Sequence, residues 1–330
     1  MLKMSEHTPE TSATFARLIA QRFAPDEVAV ITGDAEVGKA FSGLPFDHLL
    51  FTGSTQIGRH VMVEAATHLT PVTLELGGKS PAIVGPGYPI EHAAERIMTG
   101  KCLNAGQTCI APDYALVPAG EVEAFVAAAK RFVADAYPDI LRTRDFSTIV
   151  NERQFRRLVG YCEEATHKGA RLVQLAGDGI SWDFATRRFP PVALLGADDH
   201  MHVMTQEIFG PILPIVPYQT LDEAIAYVNA RPRPLALYYF DRDGARIDRV
   251  LKETVAGGVT VNDTILHIAQ DDLPFGGVGP SGMGAYHGRE GFETFSHRKA
   301  VFRQSRLNGM RLFKPPYGKV FDAMVKLLVR

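Results

Sequence analysis

The sequence predicts an α/β protein built around a doubly wound, mainly parallel sheet, and three observations predict it. Short apolar runs of strand length alternate with longer segments whose apolar residues recur every three or four positions. The alternation starts almost at the first residue and persists to about Asn262. No internal repeat or low-complexity tract interrupts it.

Taken in order, Thr8 and Pro9 read as an N-cap followed by a proline at the first helical position. Phe15, Leu18, Ile19 and Phe23 recur behind them at helical spacing. Residues 27–31 (EVAVI) form a short apolar strand closed by Thr32-Gly33, and Val37 with Phe41 marks a short helix. Residues 47–52 are a strand, 55–69 a helix with Ile57, Val61 and Ala65 on one face, and 71–76 a strand. A second α/β unit begins near Gly77. It reads as strand 82–84, helix 90–103, strand 114–117, helix 121–137 and helix 151–168, with Gly169 as the stop. Strands at 171–175, 192–195 and 212–216 follow, then a helix at 221–230 and strands at 235–240 and 259–262. Residues 274–284 are glycine-dense and read as a turn-rich loop, ordered or mobile.

The front of the chain departs from this pattern. Only Leu2 precedes the polar stretch Lys3-Met4-Ser5-Glu6, whereas a doubly wound domain opens on a buried strand. The expectation is a chain that starts after the first elements of its fold.

Bulk composition excludes several function classes. The 330 residues are 46% hydrophobic and 22% charged with a net charge of −2, so nothing electrostatic favours nucleic acid. The basic clusters at 142–144 and 297–299 are short and interrupted. No apolar run approaches the roughly 20 residues of a membrane helix, and the start lacks a signal-peptide core, which gives the cytoplasm as the expected location. Residues 321–330 are amphipathic and read as a packed tail or subunit contact. There is no CxxC and no HExxH, and His200 and His202 have no third ligand nearby, so no metal is expected.

Four stretches carry chemistry-bearing residues. FTGSTQIG (51–58) follows a strand and opens a helix, so Gly53, Ser54 and Gly58 sit where a helix N-terminus can meet a phosphate; a tight turn with an ordinary cap is the plainer reading. TLELGGKSP (73–81) puts Glu75 at the carboxyl end of a strand, where burial suits a carboxylate to general-base work, or where a Lys or Arg pairs with it. NAGQTCIAPDY (104–114) places Cys109 just past a helix, beside backbone N–H groups that can lower a thiol pKa. A lone cysteine is more often a buried structural one, and Cys102 fits that description better. QEIFGPILPI (206–215) means little by itself.

Together these stretches say more. ELGGKSP, then NAGQTC with Cys109 34 residues after Glu75, then EIFGP, then PFGGVGPSGMG occur in one order along the chain. In that order they resemble the NAD(P)-dependent aldehyde dehydrogenase superfamily, and residues 274–299 look most like its class 3 and coniferyl aldehyde dehydrogenase branch. The resemblance covers essentially the whole chain. It implies an incomplete doubly wound (Rossmann-like) cofactor domain followed by an α/β catalytic domain of the aldehyde dehydrogenase type. The implied divisions are 1–76 for the cofactor-binding remnant, 77–270 for the thiol domain, and 271–330 for a segment packing back on the cofactor cleft and the subunit interface.

The resemblance also implies roles. Cys109 attacks the aldehyde carbonyl to give a thiohemiacetal, hydride transfer to the cofactor leaves a thioester, and Glu75 activates the water that hydrolyses it. Glu207 grips the nicotinamide-side ribose, with Phe209 lining the cleft. Gly53, Ser54, Gly58 and Leu76 lie along the cofactor path. Lys3 and Glu6, in KMSE where the family has KPSE, face the adenosine ribose. NAD and NADP both remain open, since Glu6 lies near where a 2′-phosphate would sit. The implied substrate is an aromatic or medium-chain aldehyde, and the implied partner is a second copy in a homodimer once the sheet is completed.

In the family, a long segment precedes this point. It carries the first strand of the cofactor domain and a Trp-Asn pair whose amide stabilises the oxyanion. The one tryptophan here, Trp182, is not followed by Asn. Losing an oxyanion donor costs about 10²–10³ in rate, and losing a central strand exposes its neighbours' ladder groups. The expectation is therefore a chain poorly active by itself, or one that needs another chain. A non-catalytic fragment and a cofactor-independent thiol esterase are the alternatives.

Overall fold

The computed structural model describes residues 1–329. They form two compact units, Met1–Phe295 and a second beginning at Ser296. The first unit opens with β1 (Leu2–Lys3), α1 (Pro9–Ala20) and β2 (Val30–Ile31). β1 and β2 pair in parallel, Leu2 with Val30 and Lys3 with Ile31. The EVAVI strand is thus only two residues long, and Lys3, read from sequence as part of a polar lead-in, is a strand residue.

Next come α2 (Ala35–Ser42), β3 (Leu49–Gly53), α3 (Thr55–Ala66) and β4 (Val72–Leu76). Asp34 caps α2 by accepting from the Glu36 and Val37 N–H groups, and Ser54 caps α3 through Ile57 N–H. β3 and β4 are parallel and in register from Leu49–Val72 to Gly53–Leu76, which places Thr52 beside Glu75.

The chain then changes sheets. β5 (Pro81–Val84), α4 (Ile90–Cys102), β6 (Tyr114–Pro118), α5 (Val122–Ala136), α6 (Glu152–His167), β7 (Arg171–Gln174), β8 (Val192–Leu195) and α7 (His202–Thr205) follow. After them come β9 (Ile212–Tyr218), α8 (Leu221–Asn229), β10 (Ala236–Phe240), α9 (Gly244–Glu253) and β11 (Gly258–Val261). Their strands make a seven-stranded sheet in the order β11-β10-β5-β6-β9-β8-β7, parallel except for β7 at one edge. β5, β8 and β10 are buried along their whole length, which explains their unbroken apolar sequence. Alternate residues serve opposite faces. Ala82, Val84, Ala115, Tyr238 and Phe240 join α4, α5 and α6 in one core. Ile83, Leu116, Leu237 and Tyr239 join α8 and α9 in the other.

The glycine-dense loop is ordered. Within it β12 (Gly282–Met283) pairs antiparallel with β4, setting Gly282 opposite Glu75, and α10 (Gly288–Thr294) follows. A Cβ on Gly276 would lie 1.9 Å from Gly284 O, and one on Gly282 (φ +137) would lie 2.0 Å from Leu74 O. Backbone packs directly on backbone here, so the glycines are a fitting requirement. α10 escapes a periodicity reading, with two glycines in seven residues, whereas α9 carries an apolar period in Ile247, Val250 and Leu251 although it buries only Val250. The second unit carries α11 (Lys319–Leu328), an amphipathic helix. Among the described residues no helix is long and apolar enough to cross a membrane.

Candidate active site

Cys109 sits in a turn that its neighbours lock. α4 ends in a single turn, Leu103–Gly106, in which Asn104 and Ala105 take left-handed φ values of 49 and 52. The two amide side chains of NAGQ hold that strained path. Asn104 Nδ2 donates to Gln107 O (3.1 Å), and Gln107 Nε2 donates to Asn104 O (3.0 Å) and to Thr148 O (3.0 Å). Gln107 Oε1 accepts from Val150 N–H (2.8 Å). Beyond the thiol, Ala111 N–H donates to Thr108 O (3.0 Å) and the Tyr238 hydroxyl donates to Ile110 O. The thiol is half-buried against the main core.

That burial corrects one expectation. A backbone N–H at Cys109 does pull the thiol pKa down, but burial first and the charge of Glu75 second push it well above the ordinary value. The free thiol is therefore protonated at neutral pH and needs a proton acceptor to react. Cys102 and Cys162 are almost wholly buried and raised to about 12 by burial, as befits structural cysteines.

Glu75 ends β4 and is 3% exposed. The Lys or Arg partner considered from sequence is not what it has. Its Oε2 accepts from the hydroxyl of Thr52, its register neighbour on β3, and its Oε1 is buried with no hydrogen-bond partner. A buried carboxylate oxygen left free is costly unless it is used. Tyr286 belongs to the same compartment: its phenol is pushed up by burial and then by the charges of Glu75 and Cys109.

Glu207 reaches the neighbourhood from the loop before β9. Its carboxyl group lies against the Gly77 Cα, where a Cβ would come within 2.1 Å of Oε1. Burial first, and the charge of Asp113 second, raise it to about 8. Phe209 is 37% exposed with a left-handed φ of 47.

The other expected positions form two groups. Gly53, Ser54, Gly58 and Leu76 are contiguous: a Cβ on Gly58 would lie 2.5 Å from Leu76 Cδ2, so this glycine lets α3 close onto β4. Thr55 Oγ1 donates to Pro280 O (2.9 Å) and Leu76 N–H donates to Ser281 O (3.0 Å), tying the glycine-dense loop to this end. Lys3 and Glu6 pair with each other (3.1 Å), and no hydrogen bond or ion pair joins them to the thiol cluster. A Cβ on Gly38 would lie 3.8 Å from Lys3 Nζ. The Glu6 carboxyl is held below its ordinary value by a backbone N–H and by Lys3. This donor set fits a dinucleotide: the first turn of α3 has no carboxylate, Lys3 offers a cation, and Glu207 sets a buried carboxyl group on bare glycine backbone.

Sequence reasoning passed over Thr52, Lys79, Asp113, Arg157 and Tyr286. Register with Glu75 could have found Thr52. The rest act from distant segments.

A half-buried cysteine under the charge of a buried glutamate, in a chain whose α3 start fits a dinucleotide, is the arrangement of a thiol-dependent oxidoreductase. The family model described as the aldehyde dehydrogenase family matches residues 1–301. The probable coniferyl aldehyde dehydrogenase of Pseudomonas aeruginosa is 57% identical over 331 residues, covering 100% of this chain and 68% of that protein. The coniferyl aldehyde dehydrogenase of Pseudomonas sp. is 48% identical, covering 100% of this chain and 69% of that one. The substrate-bound structure of Staphylococcus aureus AldH superposes with a TM-score of 0.90 at 41% identity, covering 99% of this chain and 70% of that one. The chain belongs to the aldehyde dehydrogenase family, the NAD(P)-dependent enzymes that oxidise aldehydes. It spans about two thirds of the length of the curated relatives it matches.

Proposed function

We propose that Cys109 and Glu75 oxidise an aromatic aldehyde of the coniferyl type to its acid. The observation that carries this is the free Oε1 of Glu75 in the same buried compartment as the raised Cys109 thiol. The coniferyl aldehyde named for the relatives supplies the substrate class.

Glu75 first takes the thiol proton and passes it to the carbonyl oxygen as the Cys109 sulfur adds to the carbonyl carbon, which gives a thiohemiacetal and leaves Glu75 unprotonated again. When bound, NAD or NADP would supply the hydride acceptor; the thiohemiacetal hydroxyl proton then leaves to solvent as the thioester forms on Cys109. Glu75 then takes a proton from water as its oxygen bonds to the thioester carbon. The carbon–sulfur bond breaks, the acid leaves, and the sulfur recovers a proton. Lys3, Glu6, Gly53, Ser54, Gly58, Leu76, Glu207 and Phe209 hold the coenzyme, with Glu207 and Phe209 at its nicotinamide end.

Residues 1–76 serve the coenzyme, 77–270 carry the thiol, and 271–295 return toward the coenzyme side. The pairing of β12 with β4 supports the last assignment. A homodimer in the cytoplasm completes the proposal, and light scattering on the purified protein tests the dimer. Aldehyde-dependent NADH or NADPH formation, lost in Cys109→Ala with the fold retained, tests the chemistry. Ester hydrolysis without any coenzyme-dependent oxidation would instead point to the thiol esterase.

A further inference from the structure

The backbone of residues 206–208 is fastened by side chains from three other segments. Lys79, just after β4, donates to Gln206 O (3.2 Å) and Val203 O (2.8 Å). It is ion-paired with Asp113, which precedes β6 and is almost wholly buried. The other Asp113 oxygen accepts from Ile208 N–H (2.9 Å). Arg157, on α6, donates to Glu207 O (3.0 Å) and Ile208 O (2.6 Å). Arg157 is itself oriented by Gln154 Oε1 (2.7 Å) and by the Tyr161 hydroxyl (3.0 Å), and that hydroxyl donates to Gln206 Oε1 (2.8 Å).

We propose that Lys79, Asp113 and Arg157 act as one set of positioning residues for the coenzyme. They fix the backbone of residues 206–209 so that Glu207 and Phe209 are presented in a single arrangement. This rests on the reading that Glu207 and Phe209 contact the nicotinamide end. Two features favour positioning over simple cohesion. Phe209 holds a left-handed φ of 47, which persists only where the surroundings over-determine it. Lys79 also joins the two halves of the arrangement: it follows Gly77-Gly78, the seat of the Glu207 carboxyl group, and grips Gln206, the residue before it. Removing one member thus lets the seat and the side chain drift apart. Preorganisation of this kind acts on affinity by removing the ordering cost at binding.

The test uses the purified protein with Arg157→Lys, Asp113→Asn and Lys79→Met, and Arg171→Gln on the exposed Arg171–Glu123 pair as control. Arg157→Lys keeps the charge but loses the planar fork that spans two carbonyl groups. Fluorescence titration with NADH and NADPH should show affinity weakened about tenfold or more, the loss expected for a charge-assisted bond. KM for the aldehyde should stay within about twofold, since those contacts are untouched. Hydrogen exchange at Ile208 in coenzyme-free protein should accelerate in all three variants and not in the control. Folded variants with unchanged coenzyme affinity and unchanged exchange, even with a lower Tm, overturn the proposal. If Lys79→Met fails to fold, the two conservative variants decide. Glu207→Gln and Phe209→Ala report separately on the underlying reading. Unchanged coenzyme affinity in both sinks that reading, while the exchange measurement still shows whether the three residues hold the loop.

Discussion

At the residue scale, the chemistry turns on where protons sit. Because the charge of Glu75 helps hold the Cys109 thiol protonated, Glu75→Gln should lower the thiol pKa. Iodoacetamide at pH 8 should nonetheless label Cys109 more slowly than in the parent protein, because Glu75 no longer takes the thiol proton, and turnover should fall by about 10²–10⁴, the contribution of a positioned base. Faster labelling together with slower turnover would mean that Glu75 acts only on the water that hydrolyses the thioester. Glu207 gives a second test. Its folded value of about 8 lies above the ordinary 4.5. Between those limits the folded chain binds a proton that the unfolded chain has lost, so stability falls as pH rises through that window. Glu207→Gln should flatten this fall, read as denaturant midpoints at pH 5 and pH 8. Cys109 was legible as a position but not as a state: nothing in NAGQTC shows that burial outweighs the nearby N–H groups.

At the element scale, the site depends on β12 lying against β4 with no side chain between them. Gly282→Ala would put a Cβ 2.0 Å from Leu74 O at a φ of +137. It should cost about 1–3 kcal/mol, measured as a fall in Tm, and should displace the strand opposite Glu75. Most strands and helices could be read from sequence because burial on both faces, or on one stripe, leaves an apolar period. β12 left none. Two residues of glycine and methionine carry no pattern, and the pairing is visible only once Leu74 O is known to stand beside them. α9, by contrast, was legible: Ile247, Val250 and Leu251 recur at helical spacing, although only Val250 is buried.

At the scale of the whole molecule, the two compact units differ in character. The first holds all three sheets. The second carries nine lysines and arginines against a single carboxylate, Asp322, in a chain whose net charge is −2. Residues 296–308 are exposed and contain no helix or strand. Limited trypsin digestion should therefore cut first among Arg298, Lys299, Arg303 and Arg306, as mass spectrometry would show. Protection of these sites that grows with protein concentration is the result expected if a second copy covers the segment. First cuts inside the seven-stranded sheet would contradict the division.

The sequence by itself determined the α/β layering, the order of the four chemical stretches, and the choice of Cys109 and Glu75. The layering follows from local periodicity, and the choice of Cys109 and Glu75 follows from the family resemblance that the ordered stretches carry. Only the tertiary structure decided how those groups behave. It left Glu75 Oε1 free and partnered its other oxygen with Thr52 across a sheet register. It raised the Cys109 thiol instead of lowering it, and brought Lys79, Asp113 and Arg157 to one loop. Proton affinity depends on burial and on charges facing a group through space. Loop geometry depends on hydrogen bonds from segments up to 127 residues apart in the chain. Neither leaves a mark in the local pattern of residues.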